Sequence, residues 1–265
     1  MLFDAHCHLQ DPRLASGLQP YLDRCRKENI SGWMINSTRE SDWNAVSKLA
    51  ANTPGIKASY GLHPWWQDER SPHWASLLEQ KLRDEPTAGI GETGLDQWMQ
   101  GANLSDQIEI LNTHLELARQ FDRPISIHCL KAWPELKRVI NLFGKLPKGF
   151  LLHSYAGPPE MTAFWVEAGA YFSFSPAFLA PRKTPQRATF NNIPLDRLLI
   201  ETDAPDMPPP SEMEVAPLKS AEGKHLNHPV NLVLCLKALA TDRGITEQKM
   251  AEILRTNSNR LFGSV

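Results

Sequence analysis

Apolar and polar positions along the chain switch between a period of two and a helical period. At the amino end Leu2 to Cys7 reads as a strand, and its alternation sends Asp4, His6 and His8 to one face and Phe3, Ala5 and Cys7 to the other. A polar turn containing Asp11-Pro12 leads to a helix over Leu18 to Glu28, and Gly32-Trp33-Met34-Ile35 forms the second strand. The next helix is predicted to open at Ser41 as N-cap, with Trp43, Val46 and Ala50 at helical spacing, before Gly55 breaks it and Ile56 to Tyr60 begins the third strand. A helix from Trp74 to Arg83 precedes the strand Thr87 to Glu92. The clearest helix begins at Ser105, with Ile108, Leu111, Leu115 and Ala118 on one face. Pro124 to His128 is the fifth strand. A helix near Pro134 to Phe143, the strand Phe150 to His153, a helix from Pro159 to Glu167 and the strand Ala170 to Phe174 continue the alternation. Leu198 to Asp203 makes the eighth strand. The carboxyl end is helical, from Asn231 to Ala240 and then in a helix capped by Thr246, with Ile245 and Met250 placed as a hydrophobic staple.

Alternating strands and helices predict a parallel sheet, and eight strands of similar length predict its closure into a single α/β domain, a (β/α)8 TIM-type barrel over residues 1–265 with its active site at the C-terminal strand ends. The length of 265 residues fits one such barrel, typically about 250 residues. One stretch departs from the pattern. Between residues 204 and 229, six prolines (205, 208, 209, 210, 217 and 229) exclude long regular structure. This loop leaves the eighth strand directly after Asp203 and is expected to border any pocket there.

Composition narrows the classes. With 28 Lys+Arg against 30 Asp+Glu, the chain lacks the basic surplus of a protein that grips long nucleic acid electrostatically, so a phosphate-bearing substrate must be held locally. Cys7, Cys25, Cys129 and Cys235 show neither metal nor disulfide spacing and read as reduced, buried thiols. No leader-like segment and no span-length apolar run is present, so a cytoplasmic protein without a membrane partner is expected.

The chemistry lies at the strand ends. His6 and His8 end the first strand, His63 follows the third, Glu92 ends the fourth, His128 the fifth, His153 the sixth and Asp203 the eighth. In a parallel barrel these ends converge, and carboxylates crowded beside imidazoles without a counter-cation would cost several kcal/mol per unpaired ion. A metal removes that cost. Four imidazoles and two carboxylates exceed the three protein ligands of one catalytic ion, so two divalent ions are implied, with Zn, Mn or Mg all compatible with the donors. Paired ions suit a hydrolytic displacement, with Glu92 as the candidate bridge and Asp203 as a ligand that also serves as general base toward the attacking water. Gly91 and Gly94 flank Glu92 and allow close backbone approach.

The runs Asp4-Ala5-His6-Cys7-His8, Gly61-Leu62-His63-Pro64, Gly91-Glu92-Thr93-Gly94-Leu95-Asp96, Pro124-Ile125-Ser126-Ile127-His128 and Glu201-Thr202-Asp203-Ala204-Pro205 resemble, in order, the signatures of the TatD family of metal-dependent hydrolases. The resemblance extends to Asn227-His228-Pro229. It implies an amidohydrolase-like barrel, a divalent metal pair and phosphodiester hydrolysis, typically of DNA and sometimes of RNA. By that likeness His6 and His8, with Glu92 and Asp203, hold one ion, and Glu92, His128 and His153 the other, while His63 contacts substrate phosphate. Family members commonly carry an Arg two positions after the fifth-strand His. Here the run is His128-Cys129-Leu130-Lys131, and Lys lacks the planar fork that binds phosphate twice. Arg182 and Lys183, after the seventh strand, are the candidate replacement.

Three functions follow in order of preference. The first is a two-metal DNase of exonuclease type acting on single-stranded ends, with nucleic acid as its substrate and no obligate protein partner. The second is a hydrolase of a small amide, lactone or ester on the same centre, since a fold does not fix the bond cleaved. The third is a non-catalytic metal-binding partner protein, which would have no need of an open two-metal centre.

Overall fold

The structure, a computed structural model, describes residues 1–264. In chain order it runs β1 (Leu2–Cys7), α1 (Leu18–Lys27), β2 (Ile30–Asn36), α2 (Trp43–Asn52), β3 (Ile56–Tyr60), α3 (Trp74–Asp84) and β4 (Gly89–Asp96). Then follow α4 (Leu104–Phe121), β5 (Ile125–Leu130), α5 (Trp133–Phe143), β6 (Phe150–Leu152), α6 (Thr162–Ala168), β7 (Ala170–Phe174), α7 (Thr184–Thr189) and β8 (Leu198–Ile200). A two-residue pair, β9 (Leu218–Lys219) and β10 (His225–Leu226), precedes α8 (Leu232–Asp242) and α9 (Glu247–Phe262). Strands β1 to β8 form one sheet in sequence order, with parallel pairing. The chain leaving β8 also bonds back to β1, through Asp203 N–H to His6 O at 3.0 Å and His8 N–H to Ala204 O at 2.7 Å. First and last strands are therefore neighbours, and the fold is the (β/α)8 barrel that the alternation predicts. No helix among the described residues is long and apolar enough to cross a membrane.

By backbone packing the chain divides into two compact units, one of Met1–Ile35 with the chain from Phe172 onward, the other of Asn36–Tyr171. In the first unit every residue of β1 is buried, as expected of a strand covered on both faces. Phe3 meets Phe262 of α9 with ring centroids 5.5 Å apart, and Gly32 of β2 must be glycine because a Cβ there would lie 2.3 Å from the Phe3 ring. The proline-rich segment is shaped by polar ties. Asn227 Nδ2 donates to Thr202 O at 2.7 Å and to Met207 O at 3.2 Å, Asn231 accepts from Val215 N–H at 3.0 Å, and Arg13 bonds both Asp11 and Asp206. It carries the short β9–β10 pair and a 3-10 turn, Ser211–Met213, and no longer element.

In the second unit β4 runs four residues past Glu92, to Asp96, further than the apolar run suggests. Its register against β5 shifts between Ile90 and Thr93, and such a bulge re-aims a side chain, here Glu92. Gly94, at φ +151°, lets the strands close: a Cβ there would stand 1.9 Å from His128 O. Helix α4 is capped by Asn103, which accepts from Asp106 N–H, one residue ahead of the expected start. Its buried face carries Gln107, Leu111, His114, Leu115 and Ala118; Ile108 is only half-buried. Gln107 takes the inward place because its amide grips the end of β4, accepting from Asp96 N–H at 2.8 Å and donating to Asp96 O at 3.0 Å. Ser41 is not the N-cap expected of it. It lies inside a 3-10 turn, Glu40–Asp42, and the Asp42 carboxylate instead accepts from the N–H groups of Thr38 and Arg39. The eighth strand is also shorter than predicted, ending at Ile200 before Thr202 and Asp203 turn away.

Candidate metal centre

Each unit holds its own cluster of ligand-type side chains. In the first, β1 and the chain leaving β8 bring His6, His8 and Asp203 together. His8 Nε2 lies 3.2 Å and His6 Nε2 3.7 Å from Asp203 Oδ1, and the two imidazoles stand edge to face with centroids 5.1 Å apart. Asp203 sits in the left-handed region at φ 57°, which Asp tolerates better than most residues, with its backbone bonded to His6 O and Asp206 N–H. Behind the cluster Asp4, fully buried, accepts from Thr202 N–H at 2.9 Å and His6 N–H at 3.3 Å and bonds the Thr202 hydroxyl. Burial outweighs those hydrogen bonds and pushes the Asp4 carboxyl up to about 8, with neighbouring Glu201 adding to the rise. Asp4 fixes the backbone on either side of the cluster and is not itself a donor in it.

In the second unit Glu92 is the hub. Its Oε1 lies 2.9 Å from His153 Nε2, 3.2 Å from His128 Nδ1 and 3.4 Å from His63 Nε2, and His128 Nδ1 is 3.2 Å from His153 Nε2. The imidazoles differ in what their far nitrogens do. His128 Nε2 meets the Asp96 carboxylate at 3.0 Å, so its proton belongs there and Nδ1 keeps a lone pair for a metal. His63 Nδ1 instead accepts from Trp65 N–H at 3.1 Å, which places the proton of a neutral ring on Nε2, facing Glu92. His63 is thereby a hydrogen-bond donor toward the cluster, although distance alone groups it with Glu92 and His128 as a metal set. Burial disfavours a second proton on His128, but in the protonated ring Nε2–H to Asp96 and Nδ1–H to Glu92 outweigh it and leave the pKa raised; an ion would take the place of the Nδ1 proton. Burial likewise pushes the Asp96 carboxyl up, and His128, the Trp65 indole and the Trp98 N–H together outweigh it, holding the group at about 2.

The donor sets fit divalent ions. A tetrahedral ion with bonds of ~2.0–2.1 Å separates its ligand atoms by ~3.3 Å. The separations of Asp203 from His6 and His8, 3.7 and 3.2 Å, and those among Glu92, His128 and His153, 2.9 to 3.2 Å, bracket that value. Bare carboxylates and imidazoles buried this closely would otherwise repel or cost desolvation. His6, His8 and Asp203 can hold one ion, and Glu92, His128 and His153 another.

The strand-end reading thus finds its residues in two groups. It does not bring in Arg182 and Lys183, which lie on a 3-10 turn, Pro181–Lys183, with Arg182 exposed; no hydrogen bond or ion pair joins either to His6, His8 or Asp203 among the described residues. Lys131 is exposed directly after β5. Sequence reading assigned no role to Asp96, which orients His128, or to Asp4. Both were findable by the period of two, since 92, 94 and 96 share one face of β4 as 4 and 6 share one face of β1.

A parallel barrel whose strand ends carry imidazole–carboxylate clusters of this kind is the framework of a metal-dependent hydrolase. The family model for TatD related DNase matches residues 3–263, and the chain belongs to that family. It is 26% identical to a protein of Erwinia billingiae named 3'-5' ssDNA/RNA exonuclease TatD, over 98% of each chain. Against the human protein named deoxyribonuclease TATDN3 the identity is 25%, over 98% of this chain and 94% of that one. The crystal structure of the TatD homologue YjjV from Escherichia coli K12 superposes with a TM-score of 0.91 at 25% identity, covering 100% of this chain and 98% of the other.

Proposed function

We propose that this hydrolase cleaves phosphodiester bonds in single-stranded nucleic acid, DNA foremost and RNA second, working from free ends with two divalent ions of the Zn, Mn or Mg type. The observation that carries the reading is the contrast between His128 and His63. One has its Nε2 proton held by Asp96 and a lone pair turned to Glu92 and His153; the other has its proton turned inward, where it can donate to a phosphate oxygen. In this reading His6, His8 and Asp203 would hold one ion, and Glu92, His128 and His153 the other. The ions, when bound, supply Lewis acidity toward the phosphoryl oxygens and make water a stronger acid. Asp203 takes the proton of the attacking water, Glu92 fixes the imidazoles, and His63 Nε2–H steadies the phosphate.

Near charge balance shapes how the substrate is held. With net charge −2, affinity should fall shallowly with salt, at about 0.7 in the log–log slope per phosphate neutralised and about one to three phosphates engaged. The loop over residues 204–229 borders Asp203, through Asp206 N–H to Asp203 O at 2.8 Å, and favours entry of a free strand end over the middle of a duplex. Digestion of end-labelled linear and circular single strands with added metal tests this. Trimming of linear strands with circles spared is expected. Rapid cutting of circles refutes end dependence, and cleavage of neither favours a small amide, lactone or ester as substrate.

A further inference from the structure

Eight tryptophans occur in the chain, and their placement is uneven. Trp33, Trp43, Trp74, Trp133 and Trp165 are buried, and Trp66 lies beneath the Arg39 guanidinium at 3.5 Å. Only Trp65 and Trp98 are largely exposed, at 47% and 59%. Both hang from one carboxylate: the Trp65 indole N–H donates to Asp96 Oδ2 at 2.8 Å, and the Trp98 backbone N–H to Asp96 Oδ1 at 2.7 Å. That same carboxylate holds His128. The Trp65 ring also stands edge-on to His63, with centroids 5.3 Å apart.

Neither exposed ring is on a slack loop. Arg70 makes a two-pronged pair with Asp106 and bonds Gln67 O, and the Glu40 carboxylate accepts from the Ser71 hydroxyl. Gln107 and Asp96 together fix the end of β4, from which Trp98 projects. Flat, solvent-facing indoles whose backbones are fixed beside the His128 cluster suit one partner above others, a base with two exposed π-faces. Charge agrees. Asp68 is exposed on the Trp65 loop and the Glu69 carboxylate offsets Arg39 at 3.4 Å, so the loop offers phosphate no cationic surplus and a strand crossing there would be held through its bases.

We propose that Trp65 and Trp98 form a base-stacking platform for single-stranded nucleic acid, supplying affinity that the nearly neutral surface does not. The proposal rests on the phosphodiesterase reading and adds the residues that grip the substrate away from the reacting bond. Stacking is worth about 5- to 150-fold in affinity per base. The test uses metal-loaded protein titrated into two short labelled phosphorothioate strands of equal length, one bearing thymine throughout and one abasic. The parent should prefer the base-bearing strand by about 5- to 150-fold. Trp98→Ala removes a ring but keeps the N–H that bonds Asp96, so the preference should shrink while affinity for the abasic strand stays. Trp98→Phe should restore part of it, and Trp65→Phe, which keeps a six-membered ring but loses the pyrrole ring with its N–H to Asp96, should likewise retain part of it. Equal binding of both strands by a parent that cleaves an unmodified thymine strand overturns the platform alone, as does an undiminished preference in Trp98→Ala. Binding of neither strand, with no cleavage of an unmodified strand of the same sequence, overturns the phosphodiesterase reading and the platform with it.

Discussion

Replacing Asp96 by Asn tests how the protein prepares an imidazole for metal. Asp96 Oδ2 accepts from His128 Nε2 at 3.0 Å and Trp65 Nε1 at 2.8 Å, while Oδ1 accepts from the N–H groups of Trp98 at 2.7 Å and Met99 at 3.3 Å. Asparagine offers one acceptor oxygen, so whichever way its amide turns, its NH2 meets two donors. The group is fully buried and no water can repair the mismatch. Loss of a charge-assisted hydrogen bond costs ~1.5–3 kcal/mol, and removal of such an outer carboxylate typically lowers metal affinity ~10–100-fold, which is ~1.4–2.7 kcal/mol. Calorimetric titration of Zn2+ or Mn2+ into stripped parent and variant should show that loss at the site of His128. A second readout separates orientation from general damage. His128 is raised in the parent, so with Asp96 neutralised burial should pull its pKa down, visible in its imidazole NMR signals. Metal affinity within about twofold of the parent, in a variant whose stability has fallen, would show that Asp96 is structural only and refute the reasoning.

Glu92→Ala should abolish hydrolysis and cut metal content while the fold survives, since the backbone N–H bond of residue 92 to Ser37 O does not depend on the side chain; activity within a few-fold of the parent would make Glu92 structural. Asp203→Asn keeps a residue at ease at φ 57° and should retain much of the metal, yet turn over on the order of 10²–10⁴-fold more slowly; full activity would remove Asp203 from the mechanism. His114, stacked on Trp74 and bonded to Ile110 O and Leu62 N–H, is held by burial at about 4. Because its folded pKa is depressed, the unfolded chain takes up a proton first as pH falls below the ordinary value of 6.5. Stability should therefore drop between 6.5 and about 4, by at most ~3.4 kcal/mol from this residue, with no contribution to the slope above that window. Urea unfolding of parent and His114→Gln at about pH 7 and about pH 5 checks it, and equal pH dependence in the two would refute it.

What could be read from the chain follows from the physics of each signal. His6, His8, His63, Glu92, His128, His153 and Asp203 stood out because they are polar residues closing apolar runs, and a parallel barrel gives strand ends a common destination. Local order was harder wherever a side chain answers to a distant backbone. Gln107 displaces Ile108 from the buried face of α4 only because the end of β4 offers it an N–H and a carbonyl. Ser41 had the composition of an N-cap, but a 3-10 turn over Glu40–Asp42 leads into the helix, and Asp42 takes the cap position with its carboxylate turned back to the N–H groups of Thr38 and Arg39. The helix Thr184–Thr189 follows Pro181 and includes Pro185 within its first turn, where proline is tolerated, yet no periodic apolar face announces it. The roles of Asp96 and His63 depend on which ring nitrogen carries the proton, and hydrogen-bond partners decide that.

The central claim, phosphodiester hydrolysis on two bound ions, is tested most directly by adding divalent metal stepwise to chelator-stripped protein while measuring bound metal and cleavage of an end-labelled single strand in the same samples. The account predicts no cleavage without metal and a rise that completes as binding approaches two ions per chain. Cleavage that persists in the stripped protein, or a folded protein that reproducibly binds no metal, would contradict it.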